Sequence, residues 1–430
     1  MRIALVSAQA SPLGLGGPTA GGRHTHVAAL AKALGALSHE VTVYVRREDK
    51  SLPETLPFAP GVTIEQVSAG PVQPLPADDQ LPFMGDFGRA LAERWKPDGH
   101  GSGPGGGPDV VHAHYWLSGL AALTATADVR RPVVVTYHGL AAAARRHLPV
   151  DHNAGPGPRA GMERTLGSLA DRVVAQSEDE VADLGRMGIR RAVTVIVPPG
   201  VDPETFTPSG PAADHRRPGL RRILSVGPLV PRKGFGDLVE ALRRVPGAEL
   251  VIVGGPDPAR PPRDIDADPE ARRLLQLADT HGVADRVRIV GAVTQEELAG
   301  WYRSADVLAC APWYEPSGLT PLEAMSCGVP VVAYEIGGIG ESVIDNVTGV
   351  LVPPRDPNAL AGALRGLLGD EVRRMSFASA AIDRVRSRYT WERTASELER
   401  VYRTVTGATD AADESGSDTG SDEDELSEVS

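Results

Sequence analysis

Short apolar runs alternate with longer helical segments along nearly the whole chain, and this alternation restricts the possible folds more than any other feature. The run Arg2–Ser7 (RIALVS) has the length and composition of a buried strand. A glycine-rich stretch that ends at Gly22 follows, and His26–Leu37 then has apolar residues at helical spacing. His39–Val45 (HEVTVYV) has the composition of a second strand. Strand, helix and strand in this order predict a parallel sheet covered by helices.

The same alternation continues through two series of predicted strands. The first series continues at Thr63–Val67, Val110–Ala113, Pro132–Tyr137, Arg172–Ala175 and Val193–Val197. The second consists of Arg222–Val226, Glu249–Val253, Arg286–Ile289, Val307–Ala309, Val329–Tyr334 and Gly349–Val352. We therefore expect an α/β protein with two doubly wound, Rossmann-like domains that face each other across a cleft. Ligands should bind beyond the carboxyl ends of the strands.

The predicted boundary between the domains lies near Pro198–Pro208, so we assign residues 1–200 to the first domain and 201–388 to the second. The polar segment 97–107 predicts a flexible loop. Residues 407–430 predict a disordered acidic tail, and its removal should leave stability and turnover unchanged. That tail carries nine acidic residues and no basic one, so the net charge of −12 falls to about −3 for the rest of the chain.

A near-neutral body gives no indication of nucleic-acid binding, and no apolar run is long enough to span a membrane. A contact with a membrane surface stays open, and the sequence carries no signal for an oligomeric state. The two cysteines, Cys310 and Cys327, form no disulfide framework, and the N-terminus does not resemble a secretory signal. We therefore predict a cytoplasmic protein.

The segment Trp313–Ala333 (WYEPSGLTPLEAMSCGVPVVA) is the most specific motif. Glu315 precedes a predicted helix that Gly318–Thr320 opens, and Glu323 lies in its second turn. The free N–H groups and the positive dipole end of a helix N-terminus favour a diphosphate. One carboxylate can then accept hydrogen bonds from sugar hydroxyls and the other from ribose hydroxyls. The motif thus predicts a binding site for a nucleoside diphosphate sugar.

This segment resembles the retaining glycosyltransferases of family 4, which include sucrose synthase, sucrose-phosphate synthase and an inositol-phosphate glycosyltransferase of the mycothiol pathway. The resemblance extends from Met1 to Thr406. Five further segments share it: SPLGLGGPTAGGRHTHVAALAKAL, DVVHAHYWLSG, VTYHGL, VPPGVDPETFTP and VGPLVPRKGFGDLVEAL. It implies the GT-B fold, a nucleotide-sugar donor, a hydroxyl acceptor, and no cofactor or essential metal. It also implies that residues 389–406, which begin near YTWERTASEL, cross back onto the first domain.

On the donor side, the resemblance implies that Lys233 holds the diphosphate. Gly22 lacks a Cβ and so allows close backbone approach, and Gly318, Leu319 and Thr320 open the helix whose free N–H groups favour a diphosphate. The arginine that usually follows the glycine of VG is Pro228 here, and Arg232 is the nearest substitute. We assign Glu315 to the sugar and Glu323 to the ribose. Pre-placed cations should stabilise the negative charge that develops on the departing diphosphate.

On the acceptor side, the resemblance places His138 near the reacting carbon and Tyr115, His24 and Gly139 around the acceptor. The lysine of the acceptor-phosphate loop is absent, with Ala77 about where it would fall and Asp78 and Asp79 beside it. We therefore expect a neutral sugar or polyol as acceptor rather than a phosphorylated inositol.

The sequence holds two weak metal signals. His112 and His114 share one face of a predicted strand, but no third ligand is indicated nearby, so we expect structural or acceptor-binding roles for them. The acidic pair Asp264 and Asp266 lies in a loop rich in proline and arginine, without a flanking strand. We expect no metal site at either place.

Three other functions fit parts of the pattern. A sugar-nucleotide 2-epimerase would share the fold, but P-R-K-G combined with the two glutamates favours a transferase. A nicotinamide dehydrogenase needs a compact glycine motif and an acid after the second strand, where this chain has Arg46 and Arg47. A non-catalytic sugar-nucleotide sensor stays open because Pro228 replaces half of the usual cationic pair.

Overall fold

A computed structural model describes residues 1–14, 21–96, 106–147, 158–213, 216–256 and 265–407. The first part of the chain forms an eight-stranded sheet. Its strands are β1 (Arg2–Val6), β2 (Glu40–Arg46), β3 (Thr55–Ala59), β4 (Val62–Val67), β5 (Val110–His114), β6 (Val133–Thr136), β7 (Arg172–Ala175) and β8 (Thr194–Ile196). Their order across the sheet is β3-β4-β2-β1-β5-β6-β7-β8. Every pair is parallel except β3 with β4.

The second part forms a six-stranded, fully parallel sheet. Its strands are β9 (Arg221–Val226), β10 (Ala248–Val253), β11 (Val287–Gly291), β12 (Val307–Cys310), β13 (Val331–Tyr334) and β14 (Gly349–Val352). The order is β11-β10-β9-β12-β13-β14. Both sheets reverse their strand order beside the first strand, so the carboxyl ends of β1 and β5, and of β9 and β12, mark the two switch points.

Helices connect the strands and cover both sheets. In the first part they are α1 (Gly21–Ala36), α2 (Met84–Arg94), α3 (Trp116–Ala125), α4 (Ala141–His147), α5 (Arg159–Leu169) and α6 (Glu178–Arg186). In the second they are α7 (Phe235–Leu242), α8 (Pro269–Thr280), α9 (Gln295–Arg303), α10 (Leu319–Ser326), α11 (Gly338–Ser342), α12 (Pro357–Gly369), α13 (Glu371–Arg388) and α14 (Trp391–Thr406). None of the helices in the described ranges is long and apolar enough to cross a bilayer.

The predicted fold class is confirmed: two Rossmann-like α/β units, each with a parallel sheet between helices. All predicted strands form, with bounds within two residues of those expected. Strand β3 was missed because Pro57 interrupts its apolar pattern, and proline is tolerated only at a sheet edge such as this one. The predicted loop lies outside the described residues except for Gly106 and Gly107, as does the acidic tail beyond Gly407.

Helix α14 returns to the first part of the molecule and packs against α1. Its buried Trp391, Leu398 and Tyr402 share one hydrophobic cluster with Ile3 and Val27. The phenolic oxygen of Tyr402 lies 2.7 Å from Nδ1 of His112, which forms part of β5. The last helix of the described residues therefore packs on the sheet that contains the first strand.

Candidate active site

Lys233 and Glu315 form a half-buried ion pair in the second part of the molecule. Nζ of Lys233 lies 2.6 Å from Oε2 of Glu315. Lys233 ends a short 3-10 turn after β9, and Gly234 follows in the left-handed conformation with φ +67°. A Cβ on Gly234 would lie 1.7 Å from the carbonyl oxygen of Ala311, so only glycine lets this turn approach the loop that carries Glu315.

The Glu315 carboxyl is ionised in spite of its burial. Burial opposes ionisation, but the charge and hydrogen bond of Lys233, the charge of Arg232 and a hydrogen bond from Ser317 outweigh it and hold its pKa below the usual value. The Ser317 hydroxyl donates to Oε1 over 3.2 Å. Arg232 therefore contributes positive charge beside Glu315.

Two glycines fix the loop of Glu315 beside the start of α10. The N–H of Gly338 donates to the carbonyl oxygen of Glu315 over 3.0 Å, and a Cβ on Gly337 would lie 2.1 Å from that oxygen. Gly318 precedes α10 with φ +66°, so Leu319 and Thr320 form the first helical turn. The positive end of this helix thus follows Glu315 directly, as the motif predicted.

Glu323 occupies the second turn of α10 and is buried. The hydroxyl of Tyr302 donates to its Oε2 over 2.7 Å. Burial raises the pKa of Glu323 to about 7, although the Tyr302 hydrogen bond and the Lys233 charge oppose the increase. Tyr302, on α9, was not anticipated, because nothing in the spacing of α9 and α10 along the chain indicates their contact.

On the facing side, His138 and Tyr115 follow adjacent strands in strained backbone conformations. Tyr115 follows β5 with φ +73°, and His138 follows β6 with φ +56°. Non-glycine residues adopt such values at a cost of about 1–3 kcal/mol, which surrounding structure must offset. Their rings lie 4.7 Å apart between centroids. The strain therefore marks the carboxyl ends of these two strands, where the sequence placed acceptor and catalytic groups.

A hydrogen bond between two histidines orients His138. Nδ1 of His114 lies 2.8 Å from Nε2 of His138. Nε2 of His114 is buried with no hydrogen-bond partner in the described part of the chain. A proton on that nitrogen would leave a buried donor unsatisfied, at about 1–3 kcal/mol. The favoured arrangement has His114 donating through Nδ1, which leaves the proton of His138 on its Nδ1.

The two halves of the site meet through adjoining loops. The N–H of Leu140 donates to the hydroxyl of Tyr314 over 3.2 Å. A Cβ on Gly139 would lie 3.6 Å from that hydroxyl, so Gly139 also faces the Tyr314 loop. Because His138 precedes Gly139 and Glu315 follows Tyr314, the catalytic candidates of both parts lie on loops in contact. Tyr314 is a bridging residue that was not predicted from the sequence.

The remaining candidates lie on α1 and on a surface turn. Gly22 lies in the first turn of α1. His24 is buried, with Nδ1 2.6 Å from the carbonyl oxygen of Ser11. Ala77 is half-buried and Asp79 exposed, in a 3-10 turn (Ala77–Phe83) that precedes α2. The acceptor candidates thus come from α1, from the ends of β5 and β6, and from a surface turn.

The sequence indicated no third ligand near His112 and His114, but the fold brings two further histidines close to His114. Hydrogen bonds with Tyr402 at Nδ1 and Thr136 at Nε2 give His112 a structural role, as expected. His114, however, forms a cluster with His26 and His138. His26 was missed because it comes from α1, and only the tertiary fold brings α1 to the ends of β5 and β6. Burial lowers the pKa of His26 to about 4 and that of His114 well below its usual value.

The end of β2 does not resemble a dinucleotide site. Arg46 is buried, donates to Glu48 over 2.8 Å and also contacts the carbonyl oxygens of Pro71 and Gln73. A dehydrogenase of this fold would need a carboxylate here to bind a ribose. The structure thus agrees with the exclusion made from the sequence.

Comparisons with known families match both parts of the chain. The family described as "Glycosyltransferase Family 4" matches residues 20–205, and "Glycosyl transferases group 1" matches residues 212–384. Similar proteins include the D-inositol 3-phosphate glycosyltransferase of Xylanimonas cellulosilytica, 36% identical over 94% of this chain and 97% of that protein. The protein of that name from Kribbella flavida is 34% identical over 94% of this chain and 96% of its own length.

Similar solved structures have the same architecture. Sucrose-phosphate synthase from Thermosynechococcus elongatus superposes with a TM-score of 0.83 and 30% identity, over 95% of this chain and 100% of that one. Anabaena HepE, solved in complex with UDP and glucose, gives a TM-score of 0.70 with 20% identity, over 93% of this chain and 99% of that one. The second likeness concerns the fold alone.

Proposed function

Because the chain belongs to the family 4 glycosyltransferases and has their GT-B fold, we propose that it transfers a hexosyl unit from a UDP-sugar to a hydroxyl acceptor with retention of anomeric configuration. UDP-glucose and UDP-N-acetylglucosamine are the favoured donors, and GDP-mannose is the alternative. The acceptor we propose is a small neutral sugar, polyol or glycoconjugate. The observation that carries the proposal is the Lys233–Glu315 pair beside the start of α10.

The charges of Lys233 and Glu315 are opposite to those that develop when the glycosyl–phosphate bond breaks. Cleavage of a glycosyl–phosphate bond leaves negative charge on the diphosphate and positive character on the sugar. Lys233 would stabilise the diphosphate together with Arg232 and the N–H groups that open α10. Glu315 is ionised, so it can accept hydrogen bonds from the sugar hydroxyls. These groups supply the positive charge from the chain itself, and we propose that transfer needs no metal.

His138 would act as a hydrogen-bond donor to the transferred sugar. Its Nε2 accepts from His114 in the favoured tautomer, which leaves the proton on Nδ1. A histidine held in this way donates rather than accepts, so the leaving phosphate would take the proton of the acceptor hydroxyl. This division of roles is consistent with retention, because donor phosphate and acceptor then lie on the same face of the sugar.

We expect a product with the anomeric configuration of the donor, and activity that survives EDTA. Proton NMR of the product from an α-linked donor should show an α-linked glycoside, and dialysis against EDTA should leave the initial rate unchanged. A β-linked product would refute the retaining assignment. A rate lost with EDTA and restored by Mg²⁺ or Mn²⁺ would refute metal independence.

Glu323→Ala should mainly raise the KM for the donor, because we assign this carboxylate to the ribose hydroxyls. Its pKa of about 7 means that it becomes protonated as the pH falls through neutrality. A neutral carboxyl accepts hydrogen bonds more weakly, so the donor KM of the unaltered protein should rise below about pH 7. Initial rates against donor concentration between pH 6 and 8 would measure both effects. Normal donor binding in Glu323→Ala, or the same pH dependence in Glu323→Gln, would contradict this role.

A further inference from the structure

Three histidines from three different elements converge at one point of the first domain. His26 lies on α1, His114 ends β5 and His138 follows β6. One ring nitrogen from each lies within 4.8 Å of those of the other two. Ring centroids are 4.6 Å apart for His26 and His138, 5.7 Å for His26 and His114, and 5.1 Å for His114 and His138.

We propose that His26, His114 and His138 form a binding site for a late first-row divalent cation, Zn²⁺ above all, with one open coordination position towards the cleft. Neutral imidazole is the metal-binding form of histidine and suits zinc, copper and nickel. Zinc sites with three protein ligands and one open position are an established class. The ligand set offers only nitrogen, whereas Mg²⁺ and Ca²⁺ take oxygen ligands, so these two cations should not bind here.

The distances are close to those a tetrahedral site requires. Zinc–nitrogen bonds of about 2.0–2.1 Å place the nitrogens about 3.3 Å apart. The His114–His138 nitrogens, at 2.8 Å, would separate slightly, and the other pairs would move closer. The cation would replace the hydrogen bond between these two rings.

Hydrogen bonding explains why His112, a fourth histidine close by, is not a ligand of the proposed site. His112 stacks on His114 with 4.4 Å between centroids, but both of its nitrogens bind protein hydroxyl groups. Nδ1 of His114 instead bonds to Nε2 of His138, another member of the cluster, and this is the contact that the cation would replace. Trp391 packs edge-on against His26 at 5.0 Å and supports its ring from behind. His112 and Trp391 thus hold the ligands in place without joining them.

Access to the cluster comes from the cleft. His26 and His114 are buried, whereas His138 is only half-buried and precedes the loop that contacts Tyr314. A bound cation would therefore replace the hydrogen bonding of His138 at the place where the sugar should react. We therefore expect a bound cation to inhibit sugar transfer. This expected inhibition rests on the proposed function, whereas the proposal that the cation binds does not.

The test separates binding from inhibition. The full chain, without a histidine tag and dialysed against EDTA, is titrated with Co²⁺, whose tetrahedral complexes absorb visible light, and then with Zn²⁺ as competitor. His26→Phe keeps a ring of similar size against Trp391 but removes one ligand, and His26→Gln removes it with a polar side chain. His281→Asn, at the end of α8 in the second domain, is the matched control. Thermal melting checks that each variant is folded.

We expect one Co²⁺ per chain with visible bands typical of tetrahedral coordination, displaced by Zn²⁺ and not by Mg²⁺. Both His26 variants should bind at least ~10-fold more weakly, the lower end of effects seen even for residues that only support a ligand, and His281→Asn should bind normally. Absence of stoichiometric binding, or binding that folded His26 variants retain, would overturn the proposal. If binding occurs as expected but Zn²⁺ leaves transfer unaffected, the site stands and the proposed role of His138 in transfer is wrong.

Discussion

Lys233→Ala is expected to slow glycosyl transfer by about two to three orders of magnitude, the effect of removing one charge-stabilising donor from an active site. The structure adds a second reason. Lys233 is the cation within 2.6 Å of Glu315, whose carboxyl is buried. Without the ammonium group, burial would raise the pKa of Glu315 and favour its neutral form. Single-turnover rates at saturating donor would measure the loss, and calorimetry with UDP would measure the weakened diphosphate binding.

Lys96→Ala is the matched control, because Lys96 also pairs with a carboxylate, Glu93, but on the exposed surface of the first domain. Its rate should stay within about twofold, since exposed ion pairs contribute little. Lys233→Arg should retain part of the rate by keeping the charge with altered geometry. A Lys233→Ala protein that transfers sugar at the normal rate would refute the assignment of the diphosphate to this residue.

Discrimination against a phosphorylated acceptor is the second large effect we expect. Ala77 offers no charge where a phosphate would need a cation, and Asp78 and Asp79 would repel it. At an effective dielectric constant of ~20, an unfavourable unit charge at 4 Å costs about 4 kcal/mol, close to a thousandfold in affinity. Arg146, which follows the loop of His138 in the sequence, pairs with the buried carboxylate of Asp183.

The names of the relatives make D-inositol 3-phosphate the decisive competitor. Transfer from UDP-N-acetylglucosamine should be assayed with it, with free inositol and with a panel of neutral sugars. We expect one of the neutral acceptors to have the highest kcat/KM. Efficient transfer to the phosphorylated inositol alone would refute our interpretation of the acceptor loop. In that case Arg159, which donates to the carbonyl oxygen of Gly139 over 2.9 Å, is the residue to replace next.

The sequence predicts most of the fold because each strand and helix carries its own periodic signal. Strand β7, for example, has the bounds Arg172–Ala175 that the sequence predicted. The segments around Lys233 and Glu315 were recognised through the family resemblance, and the structure shows left-handed backbone at Gly234 and Gly318 within them. Motifs of this kind consist of consecutive residues, so they can be recognised in one sequence.

What the sequence does not predict is which distant residues meet. Tyr302 binds Glu323 from another helix, and Tyr314 contacts Leu140 from the other domain. His26 joins the ends of β5 and β6 only after α1 has packed on the sheet. Each contact depends on packing angles between elements, which periodicity leaves undefined. The histidine cluster is therefore a property of the tertiary fold, although each of its members was visible in the sequence.

The return of α14 to the first sheet has a consequence for how the protein is made. Trp391, Leu398 and Tyr402 complete a core whose other residues include Ile3, Val27 and Val110. Domains generally fold during synthesis from the N-terminus onward. This core, however, stays incomplete until α14 has left the ribosome, after most of the chain has been made. Nascent chains stalled near residue 200 should be cleaved readily by protease, and those carrying α14 should resist. The first domain is therefore translated first, but its hydrophobic core is completed last.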